Sequence, residues 1–196
     1  MTRCDEEADK ELYRYSYESG GFLMELKTKN LILKTVTYDD LNEVARMWNF
    51  EKGEISAEEA KKAIDWMKKN HEQNQFQKII HMCFAIFINN TNRIIGWCGL
   101  DGRSSENTVN LFYLIDKEYR RRGYATECAK KVLEYGFANM GLDRIDGECA
   151  KDNIGSQKIL EKIGMKKIEK EQFENTKNCP LRYFMTFRDY TSIYCR

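Results

Sequence analysis

The chain of 196 residues contains one proline, Pro180, and two histidines, His71 and His81. It has no apolar run long enough to cross a bilayer, and nothing resembling a proline-rich linker or a low-complexity segment. The opening MTRCDEEADK is acidic and polar and lacks the apolar core of a secretory signal. Two histidines and scattered cysteines offer no ligand set at zinc spacing, so no metal is expected. Neither a Walker-type G-x-x-x-x-G-K-[ST] nor a G-x-G-x-x-G after a strand is present. The net charge of +1 gives no pull towards nucleic acid or anionic membrane, and neither is expected as a partner. The seven cysteines (Cys4, Cys83, Cys98, Cys128, Cys149, Cys179, Cys195) are odd in number and form no C-x-x-C pair. Several lie in apolar runs, where free cysteine acts as a small hydrophobe, so a reduced, cytoplasmic protein is expected. With 42% hydrophobic and 32% charged residues, the chain reads as one soluble globular domain.

What is present centres on Val109 to Met140. Val109–Ile115 is a short apolar run suited to a buried strand, and Asp116–Arg122 is a charged turn ending in three arginines. From Gly123 the spacing becomes helical, with Ala125, Cys128, Ala129, Val132, Leu133, Gly136 and Met140 on one face. A strand thus leads through an arginine-rich loop into a helix start, whose unpaired N–H groups and positive dipole end suit phosphate.

Upstream, Met1–Lys27 reads as an appended extension in which the alternating Tyr13, Tyr15 and Tyr17 fit either a short strand or one face of a polar segment. Asn30–Val36 reads as a strand, followed by a helix to about Phe50 capped at Thr37. Ser56-Ala57-Glu58-Glu59 is a capping box for a second helix reaching about Glu72. Ile79–Ile88 and Arg93–Leu100 form a strand hairpin. Downstream, Leu142–Ala150 is a strand and Asp152–Ile163 a helix, while Met165–Glu171 and Leu181–Arg188 are two last strands. The change from a meander to a helix crossover predicts an α/β protein, a mixed sheet with helices on both faces.

The loop Arg120-Arg121-Arg122-Gly123-Tyr124-Ala125, followed by Thr126-Glu127, resembles the acyl-CoA loop of the GCN5-related N-acetyltransferases (GNAT). Asn153-x-x-Ser156 with Leu160-Glu161-Lys162-Ile163-Gly164-Met165 is similar to the branch holding the ribosomal-protein N-terminal acetyltransferases. The resemblance spans roughly Thr28 to Asp189 and implies residues 28–196 as the transferase domain, with 1–27 as an N-terminal extension. It implies a mostly antiparallel central sheet of about seven strands flanked by about four helices. By itself, Asn153-x-x-Ser156 reads as helix capping.

The resemblance implies acetyl-CoA as acetyl donor and a primary amine as acceptor, joined directly in a ternary complex by a monomer or homodimer. Arg120, Arg121, Arg122, Gly123, Tyr124, Ala125 and Thr126 would hold the cofactor's phosphates. Asn153 would bind the pantetheine arm, and Ser156 would lie near the sulfur as the candidate proton donor. Backbone N–H near Leu114 or Ile115 would contact the cofactor and stabilise the oxyanion. Arg121 departs from the family loop, where glycine is usual. A general base is missing: where the family often has a strand glutamate the chain has Asn110. Asp101, Glu106 and Glu148 read as surface charges, and His81 as a structural histidine. Two rivals follow: an acyl-CoA-binding regulatory module without turnover, and a nucleic-acid-binding domain using the three arginines. Near-neutral charge and the lack of an aromatic-interleaved basic stripe oppose the second.

Overall fold

The structure, a computed structural model, describes residues 13–18, 21–49, 52–103, 108–168 and 180–195. The described residues form one nine-stranded sheet in the order β1-β2-β3-β4-β5-β6-β7-β9-β8. Its strands are β1 (Tyr13–Glu18), β2 (Gly21–Lys27), β3 (Leu31–Lys34), β4 (His81–Ile88) and β5 (Ile94–Asp101). They continue with β6 (Asn110–Ile115), β7 (Arg144–Cys149), β8 (Lys166–Lys167) and β9 (Leu181–Thr186). All neighbours are antiparallel except β6 and β7, which run parallel. The helices are α1 (Leu41–Met47), α2 (Ala57–Glu72), α3 (Tyr124–Glu134), α4 (Ile154–Lys162) and α5 (Phe187–Tyr194).

Alternation along β4 and β5 divides the interior in two. Met82, Phe84, Ile86, Cys98 and Leu100 point to one face and pack with Cys128, Val132 and Leu133 of α3. Ala85, Phe87 and Trp97 point to the other and pack with Val44 and Met47 of α1 and with Ile64 and Met67 of α2. Helices therefore cover both faces, as the sequence predicts. Gly96 and Gly99 let β5 lie close to its neighbours: a Cβ on Gly96 would sit 2.1 Å from the Leu114 carbonyl oxygen. A Cβ on Gly99 would sit 1.8 Å from that of Met82.

Both predicted caps form. Thr37 and Ser56 each accept from the backbone three residues on or nearby, and Asp40 and Glu59 reach back to complete the boxes. Three details differ from the sequence reading. The helix after Gly123 ends its regular α turns at Glu134 and continues as a π turn over Tyr135–Asn139. There Gly136 packs against Ile145, where a Cβ would meet its Cδ1 at 2.7 Å. The last strand stops at Thr186, because Thr186 and Asp189 form a capping box that starts α5. Beyond the seven expected strands lie β1, the short strand that the alternating tyrosines allow, and β2, which pair as a hairpin and add to β3 at the sheet edge. Residues 1–12 and 19–20 of the expected extension lie outside the described residues, as do Phe50, Glu106 and residues 169–171.

Candidate active site

The site is built where β7 parts from β6. The two strands are in register only at Asn110 with Asp146 and Leu111 with Gly147, and beyond these pairs a gap opens. Which β6 amides face it follows from strand alternation. Asp116 N–H donates to Ile95 of β5 at 2.9 Å, while Asp146 N–H of β7 donates to Val109 at 2.8 Å. Even-numbered β6 amides therefore face β5, and those of Tyr113 and Ile115 face the gap. This corrects the expectation for Leu114: its amide points at Trp97, its register partner on β5. The Leu114 side chain instead emerges, 38% exposed, on the α2 face.

Arg120 closes the top of the strand, its Nε donating to the Ile115 carbonyl at 2.8 Å. The turn then bends through Arg121 at φ 62° and Gly123 at φ 85°, both left-handed. Gly123 is the N-cap of α3 and provides no side-chain cap, so the first amides of α3 stay open to a ligand. A Cβ at Gly123 would meet nothing within 4 Å, showing that this point faces open space.

Across the gap, Asn153 caps α4 by accepting from Ser156 N–H at 3.0 Å. Capping is thus one of its roles, as the residues alone suggest. Tyr113 spans the gap, its hydroxyl donating to the Ser156 carbonyl at 3.3 Å. Burial pushes that phenol well above its ordinary range.

These elements enclose a cleft of about 550 Å³. Leu114, Ile115, Arg120, Arg121, Gly123, Tyr124, Ala125, Thr126, Asn153 and Ser156 all line it. Arg122 does not: its guanidinium lies 5.5 Å from the Tyr119 ring centre and its Nη2 donates to the Glu118 carbonyl. Tyr113, Tyr119, Gly155 and Ile159 also line the cleft, though the sequence reading gave them no role there. Their legible signal was the strand–turn–helix context alone.

The remaining titratable groups are engaged in structure. The His81 ring is stacked on Phe112 at 5.4 Å and tilted against Trp66 at 4.8 Å. Burial, then the nearby Arg103 cation, lowers its proton affinity. Arg103 grips Asp101 and holds it at about 2. Arg144 grips the buried Asp146, and Arg182 lies 3.1 Å from Glu148. Burial raises the thiols of Cys98 and Cys149, opposite to what a nucleophile needs.

The family model for the acetyltransferase (GNAT) domain matches residues 30–166. An uncharacterized N-acetyltransferase of Bacillus subtilis, YnaD, is 26% identical over 151 residues, covering 74% of this chain and 84% of that protein. A ribosomal-protein-S5-alanine acetyltransferase from Vibrio fischeri has a similar fold, with a TM-score of 0.67 at 17% identity. The match covers 85% of this chain and 98% of that one. A microcin C7 self-immunity acetyltransferase solved with acetyl-CoA and AMP gives a TM-score of 0.60 at 14% identity, covering 81% and 93%. The loop at Gly123, the parting of β6 from β7 and the match over residues 30–166 agree: the chain belongs to the GNAT acetyltransferase family.

Proposed function

We propose that the protein transfers an acetyl group from acetyl-CoA directly to a primary amine, with both substrates bound at once. The observation that carries this reading is the single cleft joining an uncapped helix start to two unpaired strand amides. The residues fit the donor: the amides of the first α3 turn suit a pyrophosphate, and the Arg120 and Arg121 cations flank them. The gap has the peptide edge a pantetheine arm can pair with, offered by Tyr113 and Ile115. Asn153 lines the opposite wall with its side-chain amide.

Catalysis then comes from position and from charge stabilisation. The Tyr113 amide donates to the thioester oxygen as negative charge develops there, with the Ile115 amide next in line along the gap. Ser156 stands beside the departing sulfur and passes it a proton as the C–S bond breaks. Its hydroxyl is restored by the proton that the amine nitrogen loses on becoming the amide. The amine enters neutral and attacks without a covalent acetyl-enzyme, since the buried thiols are poor nucleophiles. Residues 28–196 carry this chemistry, with residues 1–27 as an extension, in a cytoplasmic monomer or homodimer.

A second reading, acyl-CoA binding without turnover, is favoured by one feature: β6 presents Asn110 rather than a carboxylate. Titration calorimetry with acetyl-CoA, beside Gly123→Asp and Arg122→Glu, tests the common part. Binding lost in Gly123→Asp and kept in Arg122→Glu, which is outside the cleft, supports the assignment. An absence of binding to the unsubstituted protein overturns it. Acetyl transfer across a panel of primary amines then decides between the two readings.

A further inference from the structure

The peptide of Ser156 is held at both of its polar groups. Its N–H donates to Asn153 Oδ1 at 3.0 Å, and its carbonyl accepts from the Tyr113 hydroxyl at 3.3 Å. The two bonds differ in kind. The first is a helix cap and joins neighbours in one turn. The second crosses the gap: Tyr113 lies two residues beyond Leu111, where β6 last pairs with β7, and Ser156 is in the first turn of α4. The helix has no need of it, because a first-turn carbonyl already accepts an N–H from one turn on. A buried phenol does need a partner, but any carbonyl or water would serve. The partner here is the peptide of a residue that lines the opposite wall of the cleft. Among the described residues, the Ser156 hydroxyl itself has no hydrogen-bond partner.

We propose that Tyr113 is a positioning residue for proton transfer: its phenol holds the Ser156 peptide across the gap and so keeps the Ser156 hydroxyl within reach of the sulfur. This rests on the cleft being the acetyl-CoA site and on Ser156 serving the sulfur there. A pantetheine arm lying in the gap as an added strand needs walls two strand spacings apart, about 10 Å. A tyrosine side chain and one hydrogen bond bridge a distance of that order. The bridge also leaves the arm its path. Tyr113 is in register with Cys98, which faces α3, so the ring crosses on the α3 side and the peptide edge of β6 stays open. At 3.3 Å the bond exceeds the ordinary O–H···O range of about 2.5–3.0 Å, as bonds in an unliganded site do before a ligand tightens them. Thiols face the phenol from three elements: Cys149 on β7, Cys98 on β5 and Cys128 on α3. Burial keeps the phenol protonated, and so a donor, throughout the pH range used below.

The bound thiolate reports this geometry without an acceptor. A hydroxyl aimed at the sulfur donates to the thiolate and favours it over the thiol. Dissociation constants for CoA and for desulfo-CoA, which lacks the sulfur, are measured by calorimetry from pH 7 to 9.5. Their ratio cancels the titration of the protein's own thiols. In the unsubstituted protein CoA should gain about fivefold on desulfo-CoA over that range, which spans the ordinary thiol value of about 8.5. Tyr113→Phe keeps the ring and removes the bond, so the gain should fall below about twofold. Ser156→Ala should lose the gain as fully, and the double variant should lose no more, because Tyr113 acts through Ser156. A gain that survives in Tyr113→Phe overturns the proposal. So does a further loss in the double variant. Failure of Tyr113→Phe to bind desulfo-CoA overturns it too, since the phenol would then support the whole cleft rather than one hydroxyl. No gain in the unsubstituted protein removes Ser156 from the sulfur and the proposal with it, while the cleft assignment stands. If neither ligand binds the unsubstituted protein, the cleft assignment itself falls.

Discussion

Glu127, in the first turn of α3, clasps Asn30 with both carboxylate oxygens. Oε1 accepts from the Asn30 backbone N–H at 2.8 Å and Oε2 from its side-chain amide at 2.9 Å. Thr28 adds a hydroxyl bond to Oε1 at 2.6 Å. The start of α3, where the proposed pyrophosphate seat lies, is thereby fastened to the turn between β2 and β3.

Burial alone would raise the Glu127 carboxyl, but the bonds from Asn30 and Thr28 outweigh it and hold it below its ordinary range. A depressed folded pKa gives stability that is present above the unfolded value, about 4.3, and lost as pH falls through the folded one. Glu127→Ala should cost about 2 kcal/mol at pH 7, read as a lower urea midpoint. The difference from the unsubstituted protein should shrink below about pH 4.

His71 titrates in the opposite sense to a paired histidine. Burial, helped by the neighbouring His81, lowers it to about 4. As pH falls from about 6.5, the unfolded chain takes up a proton that the folded one refuses, so stability declines and levels off near pH 4. The expected loss is about 3 kcal/mol. His71→Phe, which keeps the edge-on contact with Phe84, should flatten that slope in denaturation curves taken from pH 7 to 4.

Gly96 sets the spacing of β5 and β6 beside the cleft. Gly96→Ala would thrust a methyl group to 2.1 Å from the Leu114 carbonyl oxygen, which is backbone and has no rotamer to give. A loss of about 3 kcal/mol is expected, lowering Tm by roughly 8 °C. Acetyl-CoA affinity should fall with it, since β6 forms one wall of the gap.

Arg121 is a non-glycine residue at φ 62°. Arg121→Gly should relieve about 1 kcal/mol of backbone strain and raise Tm slightly. It also removes a cation from the cleft lining, so acetyl-CoA should bind more weakly and with a shallower salt dependence. Stability and affinity moving in opposite directions is the signature to look for.

The sequence made much of this legible because its strongest patterns are local. The Thr37 and Ser56 caps, the β4–β5 hairpin and the turn into α3 each depend on residues within a few positions of one another. The π turn after Glu134 was hidden, because it answers to Gly136 packing on Ile145, a contact across the fold. Helix α5 was missed although Thr186-Phe187-Arg188-Asp189 spells its capping box, since the apolar strand before it extends smoothly in pattern. The cleft residues on the loop could be named from their order along the chain. The choice of Tyr113 over Leu114 could not, because it depends on which neighbour each edge of β6 faces.

That choice has a mutational corollary. The peptide N–H groups offered to the gap are set by whether a residue is odd or even along β6, and no exchange at Tyr113 or Ile115 other than to proline abolishes them. Inserting or deleting a single residue between Asn110 and Tyr113 would exchange the two edges at once and turn the phenol out of the cleft. A scan of the strand should therefore show wide tolerance of substitution beside near-complete intolerance of length change. That contrast marks a function written in the backbone.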